Sequence, residues 1–503
     1  MPDKPDTYVN NPNVKSNTFI GSKPVHAEFP SLAEARPELP APIWEGRDDV
    51  IECYWKAWEI AFSNLYNPTE RNGFVSPYID AAFNGCIFMW DSCFMTMFTK
   101  YASRAFNAQV MLDNFYAKQH PDGFICREIN EETGEDSFTR FDPTATGPNL
   151  LPWAEWEYYL NFGDKERLIR VFPALLSYHQ WLEIYHAWPD GGMWSSGWGC
   201  GMDNQPRLPV GKGFNPSFSN GHMTWADTCL QQILSAKLLV YIAGEIGKPE
   251  EIPALVREAE FLSRYVQEKL WNDNEAFYFD RFADGTLSTV KSIGAYWSLL
   301  AGVLPAERAA AFTAHLTNPA EFERPHPIPS LTADHPEYQP AGDYWRGGVW
   351  SCTNYMTFQG LNRYGYGELA HKIARKHLDM FTRVYKDTGT IWENYSPEKA
   401  FPGDPAKPDF VGWSGLTPIT ILFEHVFGIQ SFVPENRITW DVHLLDKHGI
   451  HNYPFGKDGV LTLACEKRSN AAEKPKITFQ ANRPVELQVT WDGGNETMKS
   501  EGE

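Results

Sequence analysis

The feature that most constrains the fold is a long alternation of helix-like blocks and polar loops over residues 48–428. Within each block, apolar side chains recur every three or four residues, a spacing that predicts amphipathic helices. Several blocks carry a second apolar edge, which favours helices packed in two concentric layers over a simple bundle. The clearest blocks are 51–62, 168–182, 230–242, 255–266 and 369–384.

Changes in pattern mark the ends of this helical region. Residues 1–47 are rich in Pro, Asn and Ser and are expected to form an extended N-terminal arm. Residues 48–431 are expected to form one helical domain. From residue 432 the apolar period changes to two between glycine-containing turns, which predicts a small β-rich module over 432–503. Its polar end, 495–503, is expected to fray.

The charge and cysteine content exclude several classes of function. The chain of 503 residues has 44 Lys and Arg against 64 Asp and Glu, a net charge of -20 that argues against nucleic acid as a partner. The 8 cysteines lack the paired spacing of zinc sites and the density of a disulfide scaffold, so buried thiols are expected. The pattern does not indicate an oligomeric state.

The apolar runs do not resemble a membrane span or a signal peptide. No run is predicted to span a bilayer, and the N-terminus lacks the apolar core of a signal peptide. A soluble protein is expected, located in the cytoplasm or, if a signal was removed, in the periplasm or outside the cell. No membrane partner is expected.

Four loops are longer than packing requires: 122–151, 190–220, 321–348 and 389–415. Long loops in a compact domain are usually functional. The chain also has 19 Trp and 22 Tyr, and such rings stack on the apolar faces of sugars as well as filling cores. The loops are therefore the predicted location of a binding site.

Two acidic residues in these loops fit the chemistry of glycoside hydrolysis. Hydrolysis with inversion uses a carboxylic acid that protonates the leaving oxygen and a carboxylate that activates water, about 6.5–9.5 Å apart. Asp203 lies in a partly apolar, glycine-rich loop, a setting that favours a raised pKa. Glu393 lies between Trp392 and Asn394. Taken singly, each carboxylate is explained equally well as an acceptor of loop N–H groups.

Other residues have two interpretations each. Asp91 begins a helix, where it caps the N-terminus or accepts sugar hydroxyls beside a stacking Trp90. Arg346 pairs with Asp343 or binds substrate. Trp413 fills the core or forms a pocket wall.

Five motifs, taken in order, resemble those of glycoside hydrolase family 63. They are Trp90-Asp91-Ser92, Gly201-Met202-Asp203-Asn204-Gln205-Pro206-Arg207, Tyr344-Trp345-Arg346-Gly347, Trp392-Glu393-Asn394-Tyr395-Ser396-Pro397-Glu398 and Gly412-Trp413-Ser414-Gly415. The resemblance spans roughly residues 48–428. It extends to bacterial mannosylglycerate hydrolase-like and α-glucosidase members and, more distantly, to trehalases.

The resemblance implies an (α/α)6 toroid of the six-hairpin glycosidase type and inverting exo-α-glycosidase activity. The substrate would be a small-molecule or oligosaccharide α-glycoside ending in a glucosyl, mannosyl or related unit. The family motifs carry the role of general acid to Asp203 and that of general base to Glu393, with Glu398 as the fallback base. No metal or organic cofactor is implied.

The same resemblance indicates the residues that hold the sugar. Asp91, Trp345 and Arg346 match positions that contact it. The predicted substrate-binding set is completed by residues in or beside the same motifs, namely Trp90, Trp198, Asn204, Arg207, Trp392 and Trp413.

The chain departs from the family pattern at two places, and both bear on leaving-group specificity. The acid loop is longer and richer in glycine than the common Ser-Gly-Trp-Asp-Asn form, and Gly348 replaces a usual proline, which is expected to loosen that turn. Two other functions stay open. One is a sugar isomerase or epimerase that uses His222, His326 or His335 as acid and base. The other is a carbohydrate-binding protein without turnover.

Overall fold

The structure is a computed structural model that describes residues 10–81 and 85–502, and it is mainly helical, as predicted. A π-helix, Thr417–Val426, follows the last α-helix, and short 3₁₀ segments join several helices. The α-helices are α1 Leu32–Ala35, α2 Asp48–Ser63, α3 Met89–Thr99, α4 Asp113–Ala117, α5 Leu151–Phe162, α6 Lys165–Tyr185, α7 Gly197–Cys200, α8 Ala226–Ile246, α9 Ile252–Lys269, α10 Trp297–Leu300, α11 Ala306–Ala314, α12 Ser351–Arg363 and α13 Gly367–Thr388.

The junction between α5 and α6 shows how local sequence sets the helix ends. Helix α5 ends at Gly163, whose φ of 66° lies in the left-handed region that glycine adopts at little steric cost. The next residue, Asp164, accepts a hydrogen bond from the backbone N–H of Arg167 and so caps α6. One helix therefore ends and the next begins within two residues.

The helices pack around a shared apolar core. Helix α8 packs against α5, α6, α9 and α10, while α12 packs against α10 and α13. Helix α2, at the start of the helical region, contacts both α13 and the π-helix at its end. The two ends of the helical series therefore meet in space. All eight cysteines are free and buried, as expected.

Helix α8 corrects the expectation that no run could span a bilayer. It is long and apolar enough to do so, but 67% of its 18-residue apolar window is buried inside the protein. Its apolar surface is covered by the neighbouring helices. This is the environment of a core helix, whose two buried faces require an apolar sequence all round.

Two four-stranded sheets follow the helices, in the orders β1-β10-β11-β12 and β14-β13-β9-β8. Strand β1, from the predicted N-terminal arm, pairs antiparallel with β10, so the arm and the predicted β-rich module share one sheet. The strands are β1 Ala41–Trp44, β2 Leu65–Tyr66, β3 Tyr78–Ile79, β4 Cys86–Phe88, β5 Glu128–Asn130, β6 Trp271–Asn272, β7 Phe277–Tyr278, β8 Ile429–Phe432, β9 Arg437–Asp441, β10 His448–Phe455, β11 Gly459–Cys465, β12 Ile477–Ala481, β13 Pro484–Trp491 and β14 Gly494–Glu501.

The two ends of the chain also bear on earlier expectations. Residues 1–9 of the predicted arm lie outside the described residues, and the described part contains short helices and β1. The expectation that 495–503 frays is wrong for its described part, because β14 pairs with β13 along its whole length. Its polar side chains stay at the surface while the backbone ladder orders the strand.

Candidate active site

A pocket opens among the loops that the sequence marks as functional. Its walls come from separate segments of the chain. They are the end of β4 with the start of α3, the residue before β5, the loop between β5 and α5, the loop around α7, the segment before α12 and the segment before the π-helix. The lining residues are Phe88, Trp90, Asp91, Arg127, Gly147, Pro148, Trp198, Gly201, Asp203, Tyr344, Trp345 and Trp413. Of the predicted set, Trp90, Asp91, Trp198, Asp203, Trp345 and Trp413 therefore meet at one pocket.

Glycines shape the acid loop around Asp203. The Ser196 side chain accepts a hydrogen bond from the N–H of Gly199 and caps the short helix α7. Gly201 then adopts a left-handed φ of 79°, and a Cβ there would lie 3.2 Å from the indole of Trp90. A Cβ at Gly197 would lie 2.2 Å from the backbone oxygen of Asp203. The glycines therefore allow a tightly folded loop that places Asp203 in the pocket wall.

Asn204 joins the acid loop to the segment before α12. Its amide nitrogen donates to the backbone oxygen of Asp343 at 2.9 Å, and its amide oxygen accepts from the N–H of Trp345 at 2.9 Å. Both polar groups of the side chain are thus used inside the protein. Asn204 was predicted to bind sugar, but the structure makes it a brace that holds Trp345 in the pocket wall.

Arg207 also requires a correction. It was predicted to contact sugar, yet its buried guanidinium donates to both carboxylates of Asp227 and Asp280 at 2.6–2.8 Å. It also lies 4.4 Å from the ring centre of Trp225. The four bonds to the carboxylates and a fifth to Cys200 Sγ at 3.6 Å use all five N–H donors of the guanidinium, so none is left for a ligand. Arg207 anchors the end of the acid loop instead.

Glu393 lies beside the pocket and is held by hydrogen bonds to both its side chain and its backbone. Its carboxylate accepts the hydroxyl of pocket-lining Tyr344 at 2.8 Å and the N–H of Lys407 at 3.2 Å. Its backbone oxygen accepts the indole N–H of Trp413 at 2.8 Å and the Ser414 hydroxyl at 3.3 Å. The carboxylate is thereby fixed next to the Tyr344 ring, within electrostatic reach of Asp203 and Asp91.

The turn that carries Tyr344 is tight. Asp343 and Tyr344 have φ values of 39° and 63°, in a region that non-glycine residues seldom adopt. A Cβ at Gly348 would lie 2.2 Å from the backbone oxygen of Tyr344. The expectation that Gly348 loosens this turn is therefore wrong. Glycine is required there because the backbone oxygen of Tyr344 occupies the position that a Cβ would take.

Arg346 and Trp392 do not line the pocket, contrary to prediction. Arg346 forms ion pairs with Asp343 at 3.0 Å and Glu337 at 3.2 Å, which is its alternative interpretation. The indole N–H of Trp392 donates to the Thr388 hydroxyl at 3.0 Å. The loop forms isolated β-bridges, and successive side chains of such extended backbone point to opposite sides. The side chains of Glu393 and Trp392 therefore point in different directions.

The fallback base, Glu398, also lies elsewhere. It accepts two hydrogen bonds from Arg324, at 2.6 and 2.8 Å, and one from the Tyr338 hydroxyl at 2.7 Å. Burial raises the pKa of Glu398, but these donors outweigh it and leave the pKa below its ordinary value. Glu398 is therefore a paired carboxylate outside the pocket.

The carboxyl groups at the pocket have perturbed pKa values. Burial is the main cause for Asp203 and raises its pKa to about 7; nearby Arg127 opposes this rise and the charge of Glu393 adds to it. Burial also raises the pKa of Glu393, while the bonds from Tyr344 and Lys407 oppose the change. Asp203 thus keeps its proton to a higher pH than an ordinary Asp and is partly protonated near pH 7, and Glu393 has donors that stabilise its charged form.

Asp91 is the third carboxyl of the site. It lies in the first turn of α3, but a side-chain cap bond is absent from that helix, and its Oδ2 atom has no hydrogen-bond partner among the described residues. Burial and the charge of Glu393 raise its pKa well above the ordinary value. An unpartnered buried carboxyl oxygen beside a pocket is suited to a ligand hydroxyl.

Arg127 is a pocket residue that the motifs did not reveal. Its Nε atom donates to the backbone oxygen of Thr144 at 2.7 Å, and its positive charge lowers the pKa values of Asp91 and Asp203. The sequence signal was indirect, since Arg127 lies in the long loop 122–151. Gly147 and Pro148 lie in the same loop and were missed in the same way, whereas Tyr344 lies in the third motif and Phe88 just before the first, but neither was given a role.

The histidines proposed for an isomerase do not line this pocket in the described part of the chain. His326 is buried and shares a hydrogen bond with His377 at 2.9 Å, while His222 is exposed and His335 is half-buried. No group of His, Cys, Asp or Glu suited to a metal ion occurs among residues 10–81 and 85–502. The acid–base groups at the pocket are carboxyls.

Comparison with known proteins gives the family. The profile of the mannosylglycerate hydrolase MGH1-like glycoside hydrolase domain matches residues 87–410, most of the chain. The chain belongs to this family. It is a glycoside hydrolase of the family 63, mannosylglycerate hydrolase type, as the five motifs predicted.

Individual relatives are distant. A mannosylglycerate hydrolase of Thermus thermophilus is 24% identical over 364 residues, which cover 59% of this chain and 86% of that protein. The crystal structure of the family 63 mannosylglycerate hydrolase from a second strain of Thermus thermophilus, in complex with glucose, has a TM-score of 0.58 at 20% identity. That match covers 73% of this chain and 99% of the Thermus chain.

A second structural likeness reaches beyond the matched region. The family 78 rhamnosidase of Bacillus sp. GL1 has a TM-score of 0.65 at 16% identity and covers 90% of this chain and 43% of that one. At such identities the likeness concerns the fold alone. A mainly helical fold followed by β-sheets is thus shared with solved glycosidase structures.

Proposed function

We propose that this glycoside hydrolase is an inverting, exo-acting α-glycosidase built on an (α/α)6 toroid. In this proposal residues 48–431 form the catalytic domain, 1–47 an N-terminal arm and 432–503 an accessory β module. The observation that carries the proposal is that Asp203 lines the pocket while Glu393, from a separate loop, lies beside it and accepts a hydrogen bond from pocket-lining Tyr344, with the pKa of Asp203 raised to about 7. Environments that keep one carboxyl protonated and one charged suit an acid–base pair.

Each carboxyl has one role in the proposed reaction. Glu393 takes a proton from water, the water oxygen bonds to the anomeric carbon, and the bond from that carbon to the glycosidic oxygen breaks. Asp203 gives its proton to the departing oxygen. The products are a free sugar of inverted configuration and the leaving alcohol, and proton exchange with solvent restores both carboxyls. No cofactor enters these steps.

The other pocket residues hold one terminal glucosyl, mannosyl or related unit. Asp91 accepts a sugar hydroxyl through its unpartnered oxygen. Trp90, Trp345 and Trp413 form apolar walls, and Trp345 is stacked on Trp350 with ring centres 4.0 Å apart. A ring fixed in this way offers a rigid surface to the apolar face of a sugar. Structures of the Thermus relative with glucose and with D-glycerate support a small substrate.

Time-resolved NMR of the anomeric protons tests the proposal. An α-linked disaccharide that is cleaved should release the β-anomer first, before mutarotation mixes the two. Release of the α-anomer first contradicts the inverting mechanism. Binding of sugars without any product after long incubation supports a binding protein, and conversion to an isomeric sugar without hydrolysis supports an isomerase.

A further inference from the structure

Three aromatic rings form a continuous row beside the acid loop. Phe138, Trp198 and Phe218 make up this row, which we call the aromatic platform. The ring centres of Trp198 and Phe218 are 4.4 Å apart, and those of Phe138 and Trp198 are 6.0 Å apart. Trp198 lines the pocket and precedes Asp203 by five residues in the same loop. The platform therefore borders the part of the pocket that contains the proposed acid.

Backbone contacts set the position of the platform. The N–H of Gly197 donates to the backbone oxygen of Pro216 at 3.1 Å, and that of Trp198 donates to Ser217 at 2.9 Å. These bonds hold the segment with Phe218 against α7. The Phe218 ring is still 44% exposed, and Trp198 is only partly buried. A held but uncovered apolar surface at the edge of a pocket is typical of a ligand-binding surface.

The one cation of the pocket is already engaged by other groups. Among the described residues that line the pocket, Arg127 is the one cation, and it lies 4.8 Å from the Phe138 ring centre, 5.6 Å from that of Trp198 and 3.4 Å from a carboxylate oxygen of Glu128. The pKa values of Asp91 and Asp203 are raised, so the carboxyl groups that line the pocket favour the neutral form. An acidic leaving group would have to compete with Glu128 and with two aromatic rings for this cation.

We propose that the aromatic platform binds the leaving group and selects a neutral sugar ring over an acidic group such as glycerate. The inference rests on the proposed function, because the acid protonates the leaving oxygen and so faces the leaving group. The rings of Trp198 and Phe218 meet at an angle of 61°, so the apolar face of a sugar ring stacks on one of them while the other borders its edge, and the sugar hydroxyls stay in solvent. Glycerate has no ring to stack and brings a negative charge. The substrate class is therefore a disaccharide or longer neutral α-glycoside.

The test compares three substrates with the same glycosyl unit: the α-glycosyl fluoride, neutral α-linked disaccharides and the 2-O-α-glycosyl-glycerate. Fluoride is a leaving group without a sugar ring, and it departs without protonation by an acid. The rate of fluoride hydrolysis therefore depends on the glycosyl-binding residues and the base, but not on the platform. For the wild-type enzyme we expect kcat/KM to be about 10-fold or more higher for the best disaccharide than for the glycerate substrate. Glucosyl and mannosyl series are both assayed.

Variants of the platform give a second readout. F218A should lower the ratio of kcat/KM for the disaccharide to kcat/KM for the fluoride by about 3- to 10-fold, because a stacking partner is lost. F218Y should restore the ratio. Tyr241, a ring on α8 that is 45% exposed, supplies the matched control, and Y241A should leave the ratio unchanged.

The outcomes separate two failures. If the fluoride is hydrolysed but the glycerate substrate is preferred, or if F218A leaves the ratio unchanged, the platform does not select a neutral leaving group while the hydrolase proposal survives. If neither fluoride nor any glycoside is hydrolysed, the proposed function fails and this inference fails with it.

Discussion

The loop that carries Asp203, the proposed acid, and the loop that carries Glu393, the proposed base, give their carboxyl groups different surroundings. We call them the acid loop and the base loop. Asp203 lies in a glycine-shaped loop where burial dominates and raises its pKa to about 7. Glu393 is also buried, yet its carboxylate accepts hydrogen bonds from Tyr344 and Lys407. Burial without compensating donors favours the neutral acid, whereas donors favour the anion.

The two loops are also anchored by different interactions. The acid loop ends at the buried ion-pair cluster of Arg207, Asp227 and Asp280, while the base loop is fixed by neutral hydrogen bonds from Trp413 and Ser414. The groups around the two carboxyls therefore differ, as the two proposed roles require. Five predictions test this difference, from the largest expected effect to the smallest.

Replacement of Glu393 by Gln should have the largest effect. E393Q removes the proton acceptor for water, which both glycosides and glycosyl fluorides need. We expect kcat to fall about 100- to 10,000-fold on both kinds of substrate. Steady-state kinetics with a thermal melt as a folding control checks this result. E398Q is the matched control, and a larger loss with E398Q would transfer the base role to Glu398.

Replacement of Asp203 by Asn should separate the two substrates. D203N removes the proton needed by a sugar leaving group, so kcat on an α-linked disaccharide should fall about 100- to 10,000-fold. Fluoride leaves without protonation, so its hydrolysis should fall far less. Equal losses on both substrates would contradict the assignment of Asp203 as general acid.

Replacement of Arg207 by Met tests the anchor of the acid loop. R207M leaves Asp227 and Asp280 as uncompensated buried charges, so the free energy of unfolding should fall by about 3–5 kcal/mol. The partly exposed ion pairs of Arg346 supply the control, and R346M should cost about 1 kcal/mol or less. Urea titration measures both. A raised KM with unchanged stability for R207M would return Arg207 to the sugar-binding set.

Replacement of Tyr344 by Phe should shift the pH profile. The wild-type rate should fall above about pH 7 as Asp203 loses its proton, and on the acid side as Glu393 gains one. Y344F removes a donor that lowers the pKa of Glu393, so the acid limb should move up by about one pH unit. The kcat/KM profile over pH 4–9 measures this shift. An acid limb that stays in place would show that Tyr344 does not tune the base.

The smallest effect concerns stability. The folded-state pKa of Asp203 is raised from 3.8 to about 7, so the proton-linked stabilisation is complete below about pH 4 and is lost as the pH rises through 7. D203N carries no such proton. Its free energy of unfolding relative to wild type should therefore increase by about 1–3 kcal/mol between pH 4 and pH 8. Denaturant titrations at both pH values check this, and a constant difference would mean that Asp203 is charged in the folded enzyme.

The sequence alone determined the helical class, the β-rich end and the family. Helical periodicity, turn residues and a set of ordered motifs are local properties, so they can be read from neighbouring residues. The same holds for the tight acid loop. Gly197 and Gly201 can be read from the sequence as places where the backbone comes close to another group, even though the sequence does not show which group that is. The motifs also directed attention to Asp203 and Glu393 together.

Only the tertiary structure decided which loop residues face the pocket. Arg207, Arg346 and Trp392 sit in motifs beside residues that line it, but each binds other partners: Arg207 pairs with carboxylates distant in the chain, and Arg346 and Trp392 bind side chains of their own neighbouring segments. Arg127 shows the reverse, because it reaches the pocket from a loop without a motif. Side-chain direction and charge pairing depend on segments far apart in the chain, and a local pattern does not contain that information.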